Sequence, residues 1–347
     1  PIDYFKMLFG INCNTEYFNT HYFNNMSNWV RSYDNGLFND NRLVIRINAF
    51  FRLFSFGNYH VHSIVLSYLA FMGSFSLSKV FYKVSHSKTL SYIAVFLVPS
   101  LVFWSSGILK EAVLLSALGF FAYHFYQLFG SEKRWQNYAM VIVMSCVLIV
   151  LKLYVFMAFF PAIVIWLIIT KWKRSFWVYF FMYLGFISIA TLLGELNPRY
   201  DFVNLIVDKQ KQFIRLADFY EVNSGFEMAV LSYDFWSVLI ATPEAIFNVF
   251  TKPWPNELNS ILYLPAFVEN AVIIFLLLFC MVYRKTLSSR EWDFVIFCIS
   301  FCVILFAVIG LTTPITGAIV RYKIPAMPFL FMAVFMFMNP NQLDRKS

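Results

Sequence analysis

Charged residues make up only 13% of this 347-residue chain, about half the share found in a soluble domain. That scarcity excludes intrinsic disorder, which needs high charge and low hydrophobicity. Although the net charge is +8, no separate Lys/Arg block of the kind that binds nucleic acid is present. Cysteine is sparse as well, with five in all, which excludes a disulfide-rich secreted fold. Cys146, Cys280, Cys298 and Cys302 lie in apolar runs, and no His or acid at ligand spacing joins Cys298 and Cys302. They read as small buried hydrophobes. The five histidines are dispersed except for His60 and His62, whose spacing puts them on different faces of a helix. No phosphate-binding loop, dinucleotide fingerprint, nucleophile elbow or zinc motif occurs, so no metal ligand set is read, and a divalent ion is left open.

What the chain has is apolar length. Hydrophobic residues reach 60%, aromatics 21% and the mean hydropathy +0.65. This composition points to an all-α, polytopic helical membrane protein whose partner is the lipid bilayer. Nine runs read as crossings: 61–82, 90–107, 108–129, 137–151, 153–170, 176–194, 264–283, 293–311 and 319–338. Two cuts follow from length. A single helix over 90–129 would span roughly 60 Å, twice the hydrocarbon core, and Ser105-Ser106-Gly107 is the natural turn. The run 137–170 is too long in the same way, and Lys152 is the only charge that can mark a bend. The chain starts at Pro1, not Met, and the expectation is that it is cut there, with a helix upstream.

Orientation follows from the positive-inside rule. Lys83 and Lys88, Lys133 and Arg134, Lys171, Lys173 and Arg174, Arg284, Lys285 and Arg290, and finally Arg345 and Lys346 all fall on one side of the nine crossings. That side is expected to be the cytoplasm, with the C-terminus there, in a bacterial inner membrane. Of the 19 acids, only Glu132, Glu291, Asp293 and Asp344 share it. The expected organisation is an extracytoplasmic segment 1–60, a six-helix bundle 61–194, a second extracytoplasmic segment 195–263, three helices in 264–338 and a tail 339–347. Function is expected on the outer face, where long loops sit on a rigid scaffold.

The outer segments supply the candidates. Residues 41–56, NRLVIRINAFFRLFSF, predict a cationic amphipathic helix in the headgroup plane. Its Arg42 and Arg46 either anchor the loop to acidic lipid or hold a phosphate, which suits the planar guanidinium fork. Lys110 and Glu111 lie near the outer boundary. There they either snorkel, or Lys110 reaches into an outward cavity with Glu111 holding it. Lys152 has no acid beside it in sequence and must find a partner or an anionic ligand. The segment 235–250 predicts a short interfacial or re-entrant helix, with Glu257 after it. Arg321, Tyr322 and Lys323 introduce the proline-bearing start of the last crossing, where the two cations either anchor or meet an anionic headgroup. Asp3, Asp34 and Asp40 are candidate general bases for an acceptor hydroxyl, or cap and turn residues.

Together, an acid-bearing first outer loop, its basic helix and a late Arg-Tyr-x-x-Pro-x-x-Pro stretch resemble the GT-C superfamily of integral membrane glycosyltransferases. The residues that carry the likeness are Asp3, Asp40, Arg42, Arg46, Arg321, Tyr322, Pro325 and Pro328. The resemblance implies a polyprenyl-phosphate-linked sugar as donor, and a glycan, lipid or protein acceptor, in cell-envelope polysaccharide biosynthesis. It further implies a donor phosphate held by Arg42, Arg46, Lys110 or Arg321, with Asp3 or Asp40 as base. Alternatives are an O-antigen-type polymerase or ligase, a lipid-linked sugar transporter or flippase, and a non-catalytic envelope scaffold. Sidedness is open to a direct measurement in intact cells. In a background free of native cysteines, cysteine at Ser224 should react with an impermeant maleimide while cysteine at Ser131 or Ser288 should not. The reverse labelling pattern would invert the assignment.

Overall fold

The computed structural model describes residues 40–130, 134–171, 176–196, 201–219, 222, 224–257, 263–282 and 285–338. Among these residues all extended regular structure is helical. Helix α1 (Asp40–Ser55) matches the amphipathic segment: Leu43, Val44, Ile47 and Phe51 pack against the bundle, whereas Arg46, Phe50, Leu53 and Phe54 are exposed. His62, early in α2 (Tyr59–Ser85), ties the two helices together. Its Nδ1 lies 2.8 Å from Asn48 Oδ1 and its Nε2 lies 2.5 Å from Ser55 Oγ. The left-handed His86 (φ 56°) ends α2, and the Ser87 hydroxyl then caps α3 (Lys88–Phe96) by accepting from the Leu90 N–H.

A 55° bend separates α3 from α4 (Pro99–Ser105), where Pro99 opens the second piece without needing a backbone donor. Helix α5 (Lys110–Phe129) begins after the expected Ser-Ser-Gly turn. The 37-residue α6 (Trp135–Lys171) is interrupted at Lys152, whose φ of −152° and ψ of 84° are not helical. Side-chain contacts show what this break does. Asn137 bonds His124 near the end of α5, and Lys152 reaches Glu111 at its start. Phe159 then packs on Phe121, and Trp166 stacks on Tyr126. The two halves of α6 thus run along α5 in opposite directions.

The remaining elements are α7 (Phe176–Leu196), α8 (Phe202–Phe219), α9 (Phe235–Thr251), α10 (Leu264–Val282) and α11 (Ser289–Thr312). A broken last span follows: α12 (Thr316–Tyr322), a 3₁₀ turn (Ile324–Ala326) and α13 (Met327–Met336). Pro325 cannot donate to the Arg321 carbonyl and Pro328 cannot donate to that of Ile324, so the helical ladder fails there. By length and apolarity, six helices among the described residues can cross a membrane, or seven when the bent pair α3–α4 counts as one span. The chain is therefore a helical membrane protein. The sequence reading of about nine is larger because it takes α6 as two crossings and adds α10, whose apolar stretch is shorter.

The core is built around α13, which is buried along its whole length. The ring of Phe329 lies 5.0 Å from that of Phe301, 5.5 Å from those of Phe81 and Phe159, and 5.7 Å from that of Phe297. In lipid there is little hydrophobic drive between helices, so association depends on close packing and small residues. α2 and α5 show this plainly: a Cβ on Gly119 would stand 2.0 Å from the Gly73 carbonyl oxygen, and one on Gly73 would stand 2.3 Å from Ser116 Cα. Gly119→Ala is therefore expected to destabilise the protein by about 1–3 kcal/mol, the range for overpacking. Gly185→Ala on α7, where nothing lies within 4 Å, should be near neutral. Equal thermal unfolding of the two variants in detergent would refute the tight crossing.

Candidate functional site

Glu111 occupies the first turn of α5, where the helix dipole favours an anion, and its side chain is fully buried. Its carboxylate is shared. Arg321 of α12 donates from Nε to Oε1 and from Nη2 to Oε2, both at 2.7 Å. Lys152 donates from Nζ to Oε1 at 3.1 Å. Each partner gets there by a local departure from regular helix. The break in α6 places Lys152 at the tip of a hairpin, and the prolines after Tyr322 end α12 just beyond Arg321.

Aromatic rings surround the cations. Lys152 Nζ lies 4.4 Å from the Tyr322 ring centre and 5.8 Å from that of Tyr154, and the Arg321 guanidinium lies 5.4 Å from the ring of Trp104 on α4. Phe213 of the amphipathic helix α8 covers Tyr322 at 6.2 Å. Lys152 is buried, but the Arg321 side chain is 30% exposed. Two of the five N–H donors of the guanidinium bind Glu111. One carboxylate facing two cations leaves an excess of one positive charge.

A second polar network lies nearby and has a different balance. Lys323 is buried; its Nζ donates to Asn270 Oδ1 at 2.6 Å, and the charge of Glu269 attracts it. Glu269 in turn accepts from the Ser100 N–H at 3.0 Å and the Ser100 hydroxyl at 2.9 Å. Lys252, also buried, pairs with Glu257, which further accepts from the Trp254 N–H at 3.0 Å. Here two cations and two acids balance in number among the described residues, with Lys252 and Glu257 in direct contact and Lys323 bonded to an amide.

The structure thus brings Glu111, Lys152, Arg321 and Tyr322 together and places Lys323 and Glu257 in the neutral network. The sequence reading left Lys110 and Glu111 either to snorkel or to have Glu111 hold Lys110 in a cavity; in the structure both oxygens of Glu111 are taken by Lys152 and Arg321, and Lys110, the neighbouring residue, is half-buried. Consecutive helical residues point about 100° apart, so Lys110 and Glu111 do not share a face. Arg46 is exposed on α1. Asp40 and Arg42 belong to the start of α1, their side chains lying outside the described residues, as do Asp3 and Asp34 altogether. Sequence reasoning did not single out Trp104, Ser100 or Asn270. An acid inside an apolar run was the one signal for Glu269.

Among the described residues no group of three or more His, Cys, Asp or Glu side chains is placed to hold a metal ion. No protein-family model matches this chain, and no curated protein or solved structure is significantly similar to it.

The charge arithmetic makes a stability prediction. Glu111→Gln removes the acid that, among the described residues, holds the cluster and leaves two cations in the bundle, and losing one partner of a buried pair typically costs about 3–5 kcal/mol. Lys152→Met should cost clearly less, because Glu111 keeps Arg321. A thermal melt that ranks Lys152→Met as the more damaging change would contradict the assigned geometry.

Proposed function

We propose that this protein is an integral membrane glycosyltransferase that moves a sugar from a polyprenyl-phosphate donor to a glycan, lipid or protein acceptor. In this reading it works at the extracytoplasmic face of a bacterial cytoplasmic membrane, in cell-envelope glycan assembly. The observation that carries it is the unbalanced charge at Glu111, Lys152 and Arg321. A buried excess of positive charge is costly unless an anion completes it. A lipid phosphate meets that need, because its tail remains in the bilayer while the phosphate reaches the end of the bundle. The exposed part of Arg321 faces the incoming group. Cations fixed in a low-dielectric site stabilise the charge that grows on the leaving phosphate. The base that takes the acceptor proton is assigned to Asp3, Asp34 or Asp40. In the sequence reading of about nine crossings, with the basic clusters inside, Glu111 and Arg321 lie near the outer leaflet.

One observation favours a variant of this reading. Both oxygens of Glu111 are bonded to cations, so the acid of the cluster serves to hold them and not as a base. A polysaccharide polymerase or ligase of the O-antigen type, in which arginines carry more of the work, fits that arrangement.

Transfer of labelled sugar from a polyprenyl-phosphate donor by the purified protein tests both. Arg321→Ala should lower turnover by about 100-fold, the scale of losing one preorganised donor at a developing charge. Asp→Asn changes at positions 3, 34 and 40 separate the readings: one inactive variant identifies the base, and three active ones favour the arginine-led reaction. Movement of the lipid-linked sugar across the membrane with its chemistry unchanged would defeat both.

A further inference from the structure

We infer that Glu269 and Asn270 of α10 form a positioning clamp that sets Arg321 against Trp104; its functional half rests on the anion-site reading above. Both residues are buried, 3% exposed each, and being adjacent they bond to three different joints of the chain. Helix α4 has no side-chain cap of its own. Its Ser100 N–H and hydroxyl donate instead to the two oxygens of Glu269, at 3.0 and 2.9 Å. Lys323, at the end of α12, donates to Asn270 Oδ1 at 2.6 Å. Asn270 Nδ2 donates to the carbonyls of Lys252 and Thr251 at the end of α9, at 2.8 and 3.3 Å.

The positions of these contacts relative to the cluster carry the inference. Trp104 stands one helical turn after Ser100, so fixing Ser100 sets the height and rotation of the indole. Arg321 stands two residues before Lys323, across the joint where α12 ends. A shift at either joint changes the 5.4 Å contact between the guanidinium and the Trp104 ring. Both spans are broken, by Pro99 in one and by Pro325 in the other, so the backbone ladder alone does not transmit register across them. A single pair of side chains on a third helix does so instead. Because Lys323 and Lys252 are matched in number by Glu269 and Glu257 among the described residues, the network carries no excess charge to attract an anion of its own. Its role is geometric.

The test uses the full chain in lipid nanodiscs, with hydrogen exchange of segments 98–105 and 316–326 and the affinity for a short-chain polyprenyl phosphate as readouts. Glu269→Ala and Asn270→Ala are expected to speed exchange in both segments and weaken binding by about tenfold or more. Asn270→Gln keeps both an acceptor for Lys323 and an N–H donor for the carbonyls that end α9, and should restore binding to within about threefold of the parent, a rescue that general destabilisation would not show. Should Glu269→Ala fail to fold, Ser100→Ala, which removes one of the two bonds to Glu269, should move both readouts in the same direction by less. Exchange that rises only within α10 would overturn the clamp. So would parent-like binding by Glu269→Ala and Asn270→Ala while Arg321→Ala has lost it. A parent protein that does not bind the probe, yet loosens in both segments in the variants, would uphold the clamp and reject the anion-site reading.

Discussion

One carboxylate organises one end of this bundle. Glu111 is fully buried at the start of α5, and an isolated ionised acid at such a place would be far too costly to keep. It persists because Arg321 binds it through two parallel bonds and Lys152 adds a third. Those bonds fix more than a charge. The tip of the α6 hairpin is held against α5 by Lys152, and the broken last span is held against α5 by Arg321. Trp104, on the short helix before α5, closes over the guanidinium. Three segments distant in sequence therefore meet at one acid, and of its three charged groups Arg321 is the one that is partly exposed.

The two polar networks differ in their balance, and the difference assigns their roles. Around Glu111 the cations outnumber the acids among the described residues. Around Asn270 cations and acids are equal in number, and the bonds run to backbone carbonyls, a backbone N–H and the ends of broken helices. Irregular backbone is tolerated at membrane depth only where protein or a polar cavity satisfies it. Here Glu269 satisfies the Ser100 N–H after Pro99 and Asn270 the carbonyls that end α9, while the Lys323 side chain ties the end of α12 to Asn270. Helices broken at such joints can turn Trp104 and Arg321 toward each other in a way that straight spans would not.

Much of the site was visible as scarcity. In a chain with few charges, any charge within an apolar run stands out, and Lys110, Glu111, Lys152, Arg321 and Lys323 were all marked for that reason. Their partnerships were not visible. Glu111 lies 41 positions before Lys152 and 210 before Arg321, and no periodicity within one helix links such positions. The adjacent Lys110 offered a plausible partner by proximity along the chain, but neighbouring side chains on a helix diverge. Asn270 carried no signal at all, since an amide in an apolar run declares nothing about the two joints that it meets.

The sequence by itself determined the class and the material: a helical membrane protein, with the amphipathic helix at residues 41–56, the turn at Ser105-Ser106-Gly107 and the bend at Lys152. These follow from local rules, namely the length of chain that crosses a bilayer, the apolar period and the cost of stranding a charge. The tertiary structure alone decided which charges pair, that Glu111 is spent on two cations, and that the balance differs between two neighbouring networks. The physical reason is that an ion pair depends on distance in space and on exclusion of water. Both are set only when helices from opposite ends of the chain pack together.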